Sequence, residues 1–256
     1  MLTKLLKIML LGLIITAGCK GPVEQDDLLK GVKIGDLAAK DYNEPAFQKL
    51  KTMNFTVFTY EVSLKNLEKT EKMWELLYSK PIKYNNPESF GSNYFAAGYG
   101  QFASWEKAAE FLYSAGGKKI NTDYLLITDT SAGEFTAAML NQAKPFWYYN
   151  AQNRLEGLSL EPGILMLKVN ATLSAEFKGT AYIQMFPAYI SARRNFSPIE
   201  FKSVGLNIVM SPGDFIVLGP TKYTSGDFTL GGLFFNSPNK KGFVRFYQIV
   251  CVRVGN

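Results

Sequence analysis

The sequence predicts an α+β chain in two parts: an N-terminal split βαβ (ferredoxin-like βαββαβ) module over residues 32–128, then an all-β sandwich-like or barrel-like domain over 129–256. Three observations predict it. Up to Thr128, runs with strand spacing and runs with helix spacing alternate. After Asp129 helical spacing is rare, and turn signals from Ser131-Ala132-Gly133 to Ser237-Pro238-Asn239 recur about every ten residues, as in sandwiches and barrels. Aromatic residues make up 14% of the chain, and large rings favour pleated, half-buried surfaces.

Asn54 to Val62 is β-branched and aromatic and reads as a strand. Ser63 then stands as an N-cap, and Leu64, Leu67, Met73, Trp74 and Leu77 recur at helical spacing through Tyr78. Val62 and Leu67 have the spacing of a hydrophobic staple. Pro81 ends that helix, Ile82 to Tyr84 is a short extended piece, and Asn93 to Gln101 is a strand. Ser104 caps a second helix whose inner face is Trp105, Ala108, Ala109, Phe111, Leu112 and Ala115, closed by Gly116-Gly117. Lys119 to Thr128 is the fourth strand, giving two helices on one face of a four-stranded sheet. Trp74 and Trp105 then read as core anchors on the two helices.

In the second part the expected strands are Glu134–Leu140, Pro145–Tyr149, Leu155–Leu160, Ile164–Leu173, Ala181–Ile190, Val204–Met210, Phe215–Leu218, Thr229–Phe235 and Phe243–Val254. Glu134 to Asn141 fits a helix as well, since Ala137, Ala138, Met139 and Leu140 are good helix formers. The last strand points Val244, Phe246, Val250, Val252 and Val254 one way, with Gln248 the polar exception, and Arg245, Tyr247, Ile249, Cys251 and Arg253 the other. That pattern fits a strand near the middle of a sheet.

Ahead of the folded body, Lys4 and Lys7, the apolar run Ile8 to Ile15 and the small residues Thr16-Ala17-Gly18 have the layout of an export signal over 1–18. About ten apolar residues are too few to cross a hydrocarbon core, which takes roughly 20 in a helix. Cys19 follows at once, where a thiolate at the membrane surface can take up a lipid as a thioether. Residues 19–31 read as a tether, rich in polar and breaking residues such as Gly21, Pro22, Asp26 and Asp27, and Pro45 can begin a short helix through Leu50. An ordinary secretory signal whose cut falls near a cysteine is the alternative reading.

Composition excludes several classes. Apolar residues at 47% and charged residues at 20% are ordinary for a folded body. Removing Lys4 and Lys7 lowers the formal charge from +6 to +4, and Lys118-Lys119, Arg193-Arg194 and Lys240-Lys241 are isolated pairs, so no basic stripe suits nucleic acid. The chain has 0 histidines, which removes Ser-His and Cys-His nucleophiles and His-bearing zinc sites. With Cys19 acylated, Cys251 has no disulfide partner and reads as a small buried hydrophobe in Val250-Cys251-Val252. No residue pattern calls for a cofactor or a metal.

Candidate sites are sparse. Phe146-Trp147-Tyr148-Tyr149 could stack on sugar rings, but strand geometry splits the four between two faces, and core packing is the better reading. Gly98-Tyr99-Gly100 lacks the context of a dinucleotide site. Asp123, Asp129, Glu134 and Asp214 are carboxylates that would need to pair for glycoside chemistry.

Ile15-Thr16-Ala17-Gly18-Cys19 resembles the lipobox of bacterial lipoproteins, with Thr16 where the family usually has Leu. The resemblance implies cleavage before Cys19, lipid attachment to it and, with Lys20 next, an outer-membrane destination in the cell envelope. Ser211-Pro212-Gly213-Asp214-Phe215 through Leu218-Gly219-Pro220 and Thr229-Leu230-Gly231-Gly232-Leu233-Phe234-Phe235 resemble segments of a group of bacterial lipoproteins that brings no activity with it. The layout, a small α+β module before β-strands, is also faintly similar to secretin channels. Three functions stay open: a non-enzymatic binding or scaffolding lipoprotein meeting other envelope proteins, such as an accessory component of a secretion or surface assembly; a surface glycan-binding module; and a hydrolase using carboxylates or Ser with Lys.

Overall fold

In the computed structural model, residues 51–128, 131–175, 177–193, 196–221 and 228–255 are described. Cys19, the tether, the helix expected after Pro45 and Asp129 lie outside them. The first four strands are β1 (Thr52–Ser63), β2 (Lys83–Tyr84), β3 (Phe95–Gly100) and β4 (Lys118–Thr128). Then come β5 (Gly133–Leu140), β6 (Lys144–Tyr149), β7 (Leu155–Leu160), β8 (Gly163–Leu173) and β9 (Ala181–Ser191). The last are β10 (Ile199–Glu200), β11 (Leu206–Met210), β12 (Phe215–Pro220) and β13 (Phe243–Gly255). The helices are α1 (Glu71–Leu76), α2 (Pro87–Ser92), α3 (Trp105–Ser114) and α4 (Leu230–Phe235).

Strand β1 sets the layout because both its faces are apolar. It lies between β13 and β4, and β12 and β3 complete a five-stranded antiparallel sheet in the order β3-β12-β13-β1-β4. On one face Met53, Phe55 and Val57 join Leu125, Ile127, Ile216, Leu218, Ile249 and Cys251 in a core shared with a second sheet. That sheet runs β2-β11-β9-β8-β5 with β10 on β9, and contributes Phe135, Leu165, Leu167, Val169, Ile183, Met185 and Ile208. On the other face Val62, Phe215, Val217, Val244 and Phe246 pack against Leu67, Met73, Ala108 and Leu112 of the helical layer. The architecture is therefore helices, sheet and sheet, with the hairpin β6-β7 beside them.

The coarse α+β, β-rich class and most strands agree with the sequence reading. Glu134–Leu140 is strand and not helix, with Phe135 buried in the inner core. The last strand is central, paired to β1 and β12.

Several expectations are corrected. The ferredoxin-like module does not form by itself: β12 and β13 stand between β3 and β1, so C-terminal strands fill the middle of the N-terminal sheet. The reason is apolar demand on both faces. Every residue of Phe215–Pro220 is buried, and such a run needs cover on both sides. Residues Lys49–Asn256 form one compact unit, which runs across position 128/129. Thr229–Phe235, read as a strand, is helix α4 capped by Thr229, whose Oγ1 accepts from Gly232 N at 3.0 Å.

Neither Ser63 nor Ser104 caps its helix through the side chain. Leu64 to Thr70 is a 3₁₀ turn ahead of α1, and Ser104 Oγ donates to Gln101 O at 2.9 Å instead. At the end of β13 the register slips: Asn54 faces Arg253 and Phe55 faces Cys251, leaving Val252 as a bulge. Val254 is thereby turned to the inner core, away from the face of Val244 and Phe246. Helix α2 and the short strand β10 had no expectation.

Candidate functional site

The inner face of the central pair changes character along its length. Phe55 faces Cys251 and Val57 faces Ile249, then Thr59 faces Tyr247 and Glu61 faces Arg245. Four rungs thus run from apolar to ionic, and the ionic rung opens a cleft of about 540 Å³. Ile120 and Asn121 of β4, Thr136 of β5 and Asn239 and Lys240 of the turn before β13 complete its walls.

The charged pair is mostly buried, with side-chain exposures of 14% for Arg245 and 13% for Glu61. Burial at that level makes each partner costly to leave alone. Arg245 Nη1 donates to the Ala137 carbonyl at 2.8 Å. Its Nε lies 3.8 Å from Glu61 Oε1, close enough for charge attraction but too far for a hydrogen bond, so that N–H has no partner. Ser237 Oγ donates to the same Glu61 oxygen. Tyr247 donates to the Phe234 carbonyl at 3.1 Å, and burial pushes its phenol well above the ordinary tyrosine range. At the rim, Asn121 Nδ2 donates to Asp123 at 2.8 Å, and the Lys240 ammonium sits 3.4 Å from the centre of the Phe243 ring.

A second, aromatic recess of about 370 Å³ lies between β1 and α3. Phe58 meets Trp105 edge-on at 5.2 Å, Tyr60 meets Tyr113 edge-on at 5.6 Å, and Lys119 stands over Phe58. These rings engage one another and offer no aligned platform for a sugar.

The residues singled out from sequence are dispersed. Asp123 accepts from Asn121 on β4, Glu134 on β5 lies 3.9 Å from Lys168, and Asp214 accepts from Ser211 N at 2.7 Å in the β11–β12 turn. Each serves its own partner, and among the described residues no group of three or more His, Cys, Asp or Glu could hold a metal. Phe146 is buried against Phe201, while Trp147 is exposed and lies over Gly157 of the neighbouring strand. Trp74 and Trp105 pack into the outer core against Phe246, Phe58 and Phe215. Gly98 and Gly100 are steric: a Cβ would fall 2.7 Å from Leu77 Cβ and 2.3 Å from Phe215 Cζ. Cys251 is fully buried, and burial with the nearby Asp214 carboxylate raises its thiol to about 12.

The cleft escaped the sequence reading, although its signal is present. Glu61 lies two and four residues beyond Thr59 and Val57 on the face of Phe55, and Arg245 holds the same place on the last strand. Pairing the two needs the register, which no single strand carries. The chain matches no family model, no curated protein and no solved structure.

Proposed function

We propose that the chain is an envelope lipoprotein, held at the outer membrane by lipid on Cys19, whose body acts by binding as an accessory component of a secretion or surface assembly. The anchor reading is supported by Lys4, Lys7, the apolar run that ends at Ile15 and the small residues before Cys19. The observation that carries binding over turnover is the way the cleft groups are held. Glu61 is fixed by Ser237 and Arg245, Arg245 by the Ala137 carbonyl, and Tyr247 by the Phe234 carbonyl. The arrangement holds Glu61 as an ion-paired acceptor, which suits recognition of a polar ligand more than proton donation.

A glycan-binding reading stands second, favoured by the make-up of the walls. Asn121, Asn239, Thr59 and Thr136 around Arg245 and Lys240 suit a hydroxylated, acid-bearing ligand, in a volume typical of ligand sites.

The test is capture of partners and glycans by the full-length, detergent-extracted protein, with Asn239→Ala/Lys240→Ala as the cleft variant and Cys19→Ala as the anchor variant. The expected result is a partner or glycan kept by the native chain and lost by the cleft variant, with Cys19→Ala moving to the aqueous phase. A bare monomer, or Cys19→Ala partitioning as the native chain does, overturns the proposal.

A further inference from the structure

The outer face of the first sheet is covered over only part of its length. The helical layer packs on Val62, Phe246, Val217 and Phe215. Beyond them Tyr124 is 81% exposed, Leu126 63% and Val252 53%. Tyr124 faces Thr56 and Leu126 faces Asn54 across β4 and β1, and the bulge sets Val252 and Arg253 together opposite Asn54 on the other side. A bulge re-aims side chains, and this one brings an aliphatic group and a cation to the bare face. Phe102, 78% exposed, stands beside Gly213, whose N–H donates to the Cys251 carbonyl next to Val252.

We propose that this bare half of the sheet, formed by Tyr124, Leu126 and Val252 with Arg253 and Phe102 at its margin, docks on the head-group layer of an anionic membrane. The inference rests on the anchor reading above. Three observations select lipid over a protein partner. First, β1 begins on this rim: Thr52 faces both Thr128 and Gly255, so the chain leading back through exposed Lys51 to Cys19 leaves beside the patch. Second, a tyrosine, aliphatic side chains and a phenylalanine bordered by Arg253 and Lys51 have the chemistry of the membrane interface, where rings sit among head groups and cations meet anionic lipid. Third, the patch is small. Four large side chains fall far short of the roughly 20–30 residues a side of a stable protein interface.

A shallow contact of this size is weak alone. The 33 residues from Cys19 to Lys51 make 32 steps and reach at most about 115 Å when fully extended, so a lipid on Cys19 makes the contact intramolecular and raises its effective concentration.

The experiment uses full-length lipidated protein on vesicles of phosphatidylcholine with about 30% phosphatidylglycerol, reading flotation and amide hydrogen exchange. In the native chain, exchange over residues 124–128 and 251–253 is expected to slow about five- to tenfold on vesicles. In the triple variant Tyr124→Ser/Leu126→Ser/Val252→Ser the slowing disappears while flotation and the urea midpoint persist. Flotation without slowing, or equal slowing in the variant, overturns the docking and leaves the anchor standing. Failure of the lipidated chain to float removes the anchor reading and the docking with it. Slowing that needs no vesicles and grows with protein concentration assigns the face to a second copy of the chain and overturns the proposal.

Discussion

The two faces of the first sheet are made by the same strands and meet different demands. The inner face lies against a second sheet, and its rungs Phe55–Cys251 and Val57–Ile249 stay apolar until the ionic rung Glu61–Arg245 at the rim. The outer face lies against short helices, which cover Val62 and Phe246 but leave Tyr124 and Leu126 bare. It also encloses Gln248, fully buried between Phe58 and Val217 on the neighbouring strands, with neither amide atom hydrogen-bonded. A sheet buried against a sheet keeps its charges at the edge and opposite in sign, with the Arg245 Nε–H near the cleft left without a hydrogen bond. A sheet buried against helices tolerates an orphan inside and an apolar patch outside.

That contrast can be broken most forcefully from the inner side. Phe55→Ala removes a ring that is 1% exposed, and a loss of about 3–5 kcal/mol is expected in urea unfolding. A loss near 1 kcal/mol would mean that the two sheets close over the gap and that the inner core is no stiffer than the outer. Arg245→Ala comes next. It leaves Glu61 in the cleft with Ser237 as its remaining partner, and about 2–3 kcal/mol is expected to go. The Glu61→Gln/Arg245→Met pair should recover most of that loss, because no uncompensated charge remains.

Much of this fold is legible one strand at a time and illegible as an assembly. The alternation of Val244, Phe246 and Val250 against Tyr247, Ile249 and Cys251 places both faces of β13, yet nothing in it shows that β12 and β13 insert between β3 and β1. That insertion is long-range pairing, set by which apolar faces remain uncovered after the rest has packed. Helix α4 departs from what its composition predicts. Thr229-Leu230-Gly231-Gly232-Leu233-Phe234-Phe235 has strand composition, but Thr229 caps the turn, and Phe234 and Phe235 are buried against Phe95 and Tyr247. Tertiary contact overrode propensity. The cleft was half visible: Arg245 stood on the mixed face of the last strand, and its partner Glu61 appears only with the register.

Gln248→Leu sharpens the comparison from the outer side. Removing two unpartnered polar atoms from an apolar layer is expected to raise stability by about 1–2 kcal/mol, read as a higher urea midpoint with an unchanged slope. A loss instead would show that a buried water bonds the amide in solution. Leu126→Ser, on the bare half of the same face, should stay within about 0.5 kcal/mol of the native chain. A larger loss would mean that the side chain is covered in solution even without a membrane.

The smallest effect at neutral pH is a slope. Cys251 belongs to the inner face, and burial first, then the Asp214 carboxylate, raise its thiol from 9.0 to about 12. A folded value above the unfolded one means stability that is fully present below pH 9 and is lost as pH climbs toward about 12, because the unfolded chain gives up its proton first. Tyr99 and Tyr148, each raised from 10.0 to about 12 mainly by burial, add to the loss above pH 10. Between pH 9 and 10 the thiol is the first of these groups to lose ground, and comparison with Cys251→Ala separates it from the raised tyrosines, which include Tyr60, Tyr84 and Tyr247. Urea midpoints of the native chain and Cys251→Ala, taken at about pH 7 and through that interval, should run parallel at first and converge as the native chain weakens. Curves that stay parallel throughout would place Cys251 in contact with water and make the inner face as permeable as the outer.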